Sequence, residues 1–121
     1  MIKVEDLKIG DIVKYKQKIH IIESINNKDN ILKDIDPIPL TPEILKNNGF
    51  KLFSDKYYIR LLGAPYKYLS RHLSLKHKST GWEVTIRYAY TKYGTLLCTI
   101  KYVHELQHIL WAFGKDANLK V

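Results

Sequence analysis

The alternation between Trp82 and Tyr90 constrains this chain more than any other feature. Trp82, Val84, Ile86, Tyr88 and Tyr90 fall on one side of an extended strand, and Glu83, Thr85, Arg87 and Ala89 on the other. A period of two with one apolar and one polar side belongs to a half-buried strand, the usual component of an antiparallel sheet. Thr91-Lys92-Tyr93-Gly94-Thr95 closes a hairpin, and Leu96 to Lys101 reads as the return strand. The aromatic side is therefore expected in the core, with Arg87 facing out.

The remaining segments fit around that hairpin. Ile12-Val13-Lys14-Tyr15, Ile19 to Ile25 and Ile31 to Ile35 predict a small meander, with turns at Gln17-Lys18 and Asn26 to Asn30. Pro37 and Pro39 hold the next residues extended. Thr41-Pro42 starts a short helix and Gly49 stops it: Thr41 is a good N-cap, Pro42 stands at the favoured first helical position, and glycine favours the C-terminal stop. Lys56 to Leu62 predicts a strand broken by Gly63-Ala64-Pro65. Tyr66 to Lys78 fits neither period well and reads as an irregular stretch leading into a strand. The last element is an amphipathic helix over 102–113, ending near Gly114, with Lys115 to Val121 as a tail. The fold class is α+β: an antiparallel β-sheet, made of an N-terminal β-meander and central hairpins, with one short helix (41–48) and one C-terminal amphipathic helix. The 121 residues are expected to form a single domain, with the meander over 1–36 and the helix, strands and terminal helix over 37–121.

Within the terminal helix, His104, Glu105 and His108 spell His-Glu-x-x-His. Two imidazoles one helical turn apart can reach one zinc ion, and the glutamate can activate its water. Catalytic zinc needs a third ligand, however. The compact form of the motif needs a histidine where Gly114 stands, Asp116 is the only nearby downstream carboxylate, and His72 or His77 would be an unusual donor. On a helical wheel, Val103, Leu106, Leu110 and Phe113 share the core face, whereas His104 and His108 fall opposite, with Trp111 beside them. The expectation is a packing helix with no metal cofactor. A minimal zinc hydrolase, with Glu105 as base and His104 and His108 as ligands, is the enzymatic alternative. The large ring of Trp111 raises a third reading, a protein-interaction or homo-oligomer face.

Charge points elsewhere. The net charge is +8. Residues 1–50 balance, whereas residues 51–92 carry nine Lys or Arg against Asp55 and Glu83, a net +7. Such asymmetry is an argument about anionic partners. In this region bases interleave with aromatic residues, as in sites that neutralise phosphate and stack bases. The expected ligand is a nucleotide or nucleic acid, held by Arg60, Tyr66, Lys67, Tyr68, Arg71, His72, Lys76, Lys78 and Arg87. The three arginines are the most specific part of this signal, because the guanidinium fork suits phosphate. No helix-turn-helix pattern or Gly-rich phosphate loop accompanies them. The single cysteine, Cys98, excludes an intrachain disulfide and is expected as a small buried hydrophobe. The start of the chain does not read as a signal peptide and no apolar run spans a membrane, so a cytoplasmic location and no membrane partner are expected.

Two blocks carry a resemblance. Pro37-Ile38-Pro39-Leu40-Thr41-Pro42-Glu43-Ile44-Leu45-Lys46 with Gly49-Phe50, and Ile100-Lys101-Tyr102-Val103-His104-Glu105-Leu106-Gln107, resemble a group of small phage and prophage proteins of Bacteroidetes bacteria. Those proteins commonly read His-Glu-Leu-Gln or His-Gln-Leu-Gln in the second block, with Asn where His108 stands. The resemblance implies a phage accessory protein acting in the bacterial host. Small phage proteins often oppose host defence, including by sequestering nucleotide signals. No site residue carries over, because the group has no established activity.

Overall fold

A computed structural model describes residues 2, 6–23, 34–53, 57–66, 69–88 and 94–121. The fold is α+β. Among the described residues, two antiparallel sheets hold eight strands, with two helices, one of them short. The chain divides into two compact units, residues 1–40 with 102–119, and residues 41–101 with 120–121. The terminal helix belongs to the first unit, with the N-terminal strands, and not with the central hairpins.

In the first unit β1 (Ile12–Tyr15) lies between β2 (Lys18–Ile21) and β3 (Ile35–Asp36). Val13, Ile22 and Ile35 bury a small core with Ile2 and Leu7. Of the expected third strand, Ile35 is in β3, and both 31–33 and the polar turn 26–30 lie outside the described residues. The β1–β2 turn falls one residue earlier than expected, at Lys16-Gln17, because Tyr15 pairs with Lys18. Both turn residues have positive φ, 49° and 65°, the signs a type I′ turn requires. Asn-Gly suits that geometry better than Lys-Gln. Lys16→Asn combined with Gln17→Gly should raise stability by about 1 kcal/mol, read as a higher urea midpoint. An unchanged midpoint would refute this account of the turn.

The Pro37–Leu40 segment pairs with the start of α2 (Val103–Ala112). Pro39 bridges Tyr102, and the Ile38 carbonyl accepts from Val103 N–H at 2.9 Å. The helix ends as expected. Gly114, at φ 69°, follows its last turn, and Lys115 N–H returns to the Leu110 carbonyl at 2.9 Å. Lys115 to Val121 is not a loose tail, since Ala117 and Leu119 are buried.

The second unit carries α1 (Pro42–Asn47), capped by Thr41 Oγ1, which accepts from Ile44 N–H at 3.2 Å. Asn48 then clamps the C-terminal segment: its side chain donates to the Lys120 carbonyl and accepts from Lys120 N–H, both at 2.7 Å. The sheet runs β4 (Lys51–Phe53), β5 (Tyr57–Tyr66), β6 (Leu69–Lys78), β7 (Gly81–Tyr88), β8 (Gly94–Ile100) in spatial as in sequence order. Trp82, Val84 and Ile86 are buried with Leu73 and Leu75, and Arg87 is on the other face, as the alternation requires. Residues 89–93, which include Ala89 and Tyr90 of the expected strand and most of the expected turn, lie outside the described residues.

Three expectations are corrected here. Gly63-Ala64-Pro65 does not break β5; the strand continues through two register shifts, with Gly63 at φ 122°, a bulge that glycine tolerates. From Leu69 to Lys78 the expected irregular stretch is one regular strand, with Lys67 and Tyr68 outside the described residues. Its period was hidden by Arg71, which takes an inward position beside Leu73 and Leu75. Cys98 is exposed, not buried. It stands on the edge strand β8, whose Leu96 and Leu97 are exposed too.

Candidate functional site

Strand register decides which of the basic residues can act together. Across the second unit's sheet, Phe53 pairs with Tyr57, Tyr57 with Lys76, and Lys76 with Glu83. A second row joins Leu61, His72 and Arg87. Directly paired residues share a face, so Tyr57, His72, Lys76 and Arg87 all stand on the polar face, together with Lys51 and Lys78. Four full cations there are in register with one carboxylate, Glu83, among the described residues.

The centre of this face is built around Tyr57. The Arg87 guanidinium lies 5.1 Å from its ring centroid and the Lys76 ammonium 5.4 Å. Arg87 stands two strands from Tyr57, so its side chain runs diagonally across the sheet. Gly94, its neighbour on β8, leaves the space: a Cβ there would fall 2.9 Å from Arg87 Cγ and 2.5 Å from Thr85 Cγ2. Ser74, in register between Ile59 and Thr85, is buried at the middle of the same face. Each cation–ring contact contributes on the order of 0.5–1 kcal/mol at an exposed position. Two like charges gathered over one ring repel each other, so the cluster favours an arriving anion.

Other expected ligand residues lie elsewhere. Arg60 and Arg71 pair with Leu73 and Tyr88 respectively, which puts both on the apolar face. Arg60 lies over the Phe50 ring at 5.9 Å and against Gly49, where it packs the end of α1. The three arginines therefore do not converge. Lys67 and Tyr68 lie outside the described residues, and of Tyr66 only the backbone is described. Tyr57 was legible as one of the interleaved rings. Its selection over the others depends on the β5–β6 register, which the sequence does not contain.

The histidine motif has a different architecture from the one its wheel predicts. His104 and His108 do not face away from the fold: His104 is buried, and His108 Nε2 lies 2.8 and 3.0 Å from the two oxygens of Asp11, itself fully buried. Asp11 also accepts from Lys8 N–H at 2.8 Å. The rings form a stack, with Tyr102 on His104 at 5.9 Å, His104 edge-on to His108 at 5.7 Å, and His108 on Trp111 at 5.7 Å. Trp111 in turn packs on Gly10, where an added Cβ would meet its ring at 3.1 Å. The wheel failed because α2 is covered on two sides: Leu106 and Leu110 are buried, and so are His104 and Gln107.

Two members of the zinc motif are engaged within the fold. Glu105 Oε1 accepts from Tyr102 N–H at 3.1 Å, satisfying a donor at the helix start. His108 is engaged by Asp11. The buried His104 Nδ1 has no hydrogen-bond partner among the described residues, and burial is the main reason its pKa is pushed below 6.5. Among the described residues no group of three or more His, Cys, Asp or Glu could hold a metal ion. His77 stacks on Trp82 at 4.5 Å, and His72 pairs across the sheet with Arg87. No helix among the described residues is long and apolar enough to cross a membrane.

No known protein family, curated protein or solved structure matches this chain.

Proposed function

We propose that this chain is a non-enzymatic binding protein that holds a phosphate-bearing ligand, a nucleotide or nucleic acid, on the polar face of its five-stranded sheet. The observation that carries this reading is the convergence of Lys76 and Arg87 on Tyr57, within a region of net charge +7. Lys76 and Arg87 meet phosphate, His72 stands in register with Arg87, and the Tyr57 ring takes a base once a cation has moved to the phosphate. Arg–phosphate contacts fix orientation by their fork, whereas Lys contributes a point charge. The resemblance of the two sequence blocks extends the proposal to a phage accessory protein in the cytoplasm of a bacterial host, where such a face could withdraw a nucleotide defence signal.

Reversing both charges, Lys76→Glu with Arg87→Glu, tests the assignment. Binding of thymidine monophosphate and of a thymidine octanucleotide, dT8, is measured by calorimetry over a range of salt concentrations. The double variant is expected to bind dT8 at least about tenfold more weakly, with a shallower salt dependence, because each lost phosphate contact removes roughly 0.7 from the slope for a single strand. Equal affinity and slope for both proteins would overturn the reading.

A further inference from the structure

Phe53 shares the polar face of the second unit with Tyr57, and nothing in the fold requires a large apolar ring there. It stands on the edge strand β4, is 61% exposed, and pairs directly with Tyr57 on β5. Directly opposed residues of antiparallel strands hold their Cα atoms about 4.5–5.5 Å apart. Two rings therefore project side by side from one sheet face. Lys51 stands on the same face, two residues before Phe53, and Lys76 is the next residue in register beyond Tyr57. The pattern is two ring platforms with cations on either side.

We infer that this face takes a single-stranded polynucleotide, with Phe53 stacking the base next to the one carried by Tyr57. The inference rests on the binding reading above and narrows its ligand. A mononucleotide offers one base and needs one platform, which Tyr57 supplies. A second platform in register contributes only when a second base is tethered to the first. Stacking is indifferent to base identity, because every base has a π-face. Charge complementarity favours an anionic occupant: the face presents Lys51, Lys76, Lys78 and Arg87 against Glu83 among the described residues. A duplex satisfies the charge but not the rings, since its bases are already stacked and paired. The ligand thus has unpaired bases, at least two nucleotides, and little sequence preference.

The test compares thymidine monophosphate, the dinucleotide dT2, dT8 and a blunt eight-pair duplex on the wild-type chain and on Phe53→Ala, Phe53→Leu and Phe53→Trp, by calorimetry at one fixed low salt concentration. Phe53 is exposed, so none of these substitutions opens a core cavity. Wild-type protein should bind dT8 more tightly than the duplex. Phe53→Ala and Phe53→Leu should weaken dT2 and dT8 by roughly 5- to 150-fold, the range expected for one stacked base, with thymidine monophosphate unchanged. Phe53→Trp should restore binding. If the monophosphate and dT8 still depend on Lys76 and Arg87 but ignore Phe53, the second platform is refuted and the binding reading survives. If Phe53→Leu binds like wild type, the ring acts only as an apolar contact and the stacking inference fails. If no nucleotide or oligonucleotide binds, both readings fall together.

Discussion

Gln107→Leu is expected to destabilise this protein by about 3 kcal/mol or more, the largest loss from a single volume-conserving change in the first unit. The side chain is fully buried on α2 and makes three hydrogen bonds. Its Oε1 accepts from Ile12 N–H at 2.8 Å, and its Nε2 donates to the Gly10 carbonyl at 3.0 Å and the Ala117 carbonyl at 2.9 Å. One amide thus ties the helix to the entry of β1 and to the segment after the helix. Leucine fills nearly the same volume, so the loss is not a cavity effect. It strands a donor and two acceptors, each costing roughly 1–3 kcal/mol when buried without a partner. The corresponding fall in melting temperature is about 10 °C. Gln107→Glu should be at least as damaging, because it keeps the acceptor for Ile12 but turns a carboxylate toward two carbonyl oxygens. Leu110→Met, a volume-conserving change on the same helix, should cost under about 1.5 kcal/mol. Urea unfolding followed by circular dichroism reads all three. A Gln107→Leu loss no larger than that of Leu110→Met would remove the amide from its place at the centre of this unit.

The contrast between Gln107 and Trp82 shows what the sequence could and could not reveal. Trp82, Val84 and Ile86 announce their strand because each buried residue alternates with a polar one, and burial on one face is a local pattern. Thr41, Pro42 and Gly49 announce α1 for an equally local reason, the capping of a helix end. Gln107 gives no such signal: a glutamine on a helix looks solvated until its hydrogen-bond partners Ile12 N–H and the Gly10 carbonyl, 95 and 97 residues away in the chain, are brought beside it. His104 and His108 were misplaced for the same reason, since a wheel assumes one covered face and α2 has two. Arg71 hid β6 by occupying an inward position with a charged residue. At the candidate ligand face, His72, Lys76, Lys78 and Arg87 were legible as charge, but the division of Arg60 and Arg71 from Arg87 is a matter of parity along paired strands. Phe53 escaped altogether, because a three-residue strand carries almost no periodicity and its partner is fixed only by the β4–β5 register.

Acid should weaken the first unit through His104, as a loss of stability that begins as the pH falls through about 6.5 and continues toward the lower pKa of the folded state. The ring is buried on α2, stacked on Tyr102 and set edge-on to His108. Burial lowers its pKa most. Asp11, Glu105 and Asp6 oppose that shift, His108 reinforces it, and the net direction is down. A histidine that binds its proton less readily folded than unfolded favours folding while both states are neutral, above the unfolded value. Below that value the unfolded chain takes up the proton first, and stability declines with falling pH until the folded state is protonated as well. The measurement is urea unfolding at intervals between pH 7.5 and 5.5, a window above most carboxylate titration. Wild-type protein should hold its stability down to about pH 6.5 and lose it progressively below that value. His104→Phe keeps a ring for Tyr102 to stack on, removes the titrating nitrogen, and should flatten the slope whatever its effect on stability at pH 7.5. Parallel curves for the two proteins would assign the acid sensitivity to other groups and leave His104 as a packing ring alone.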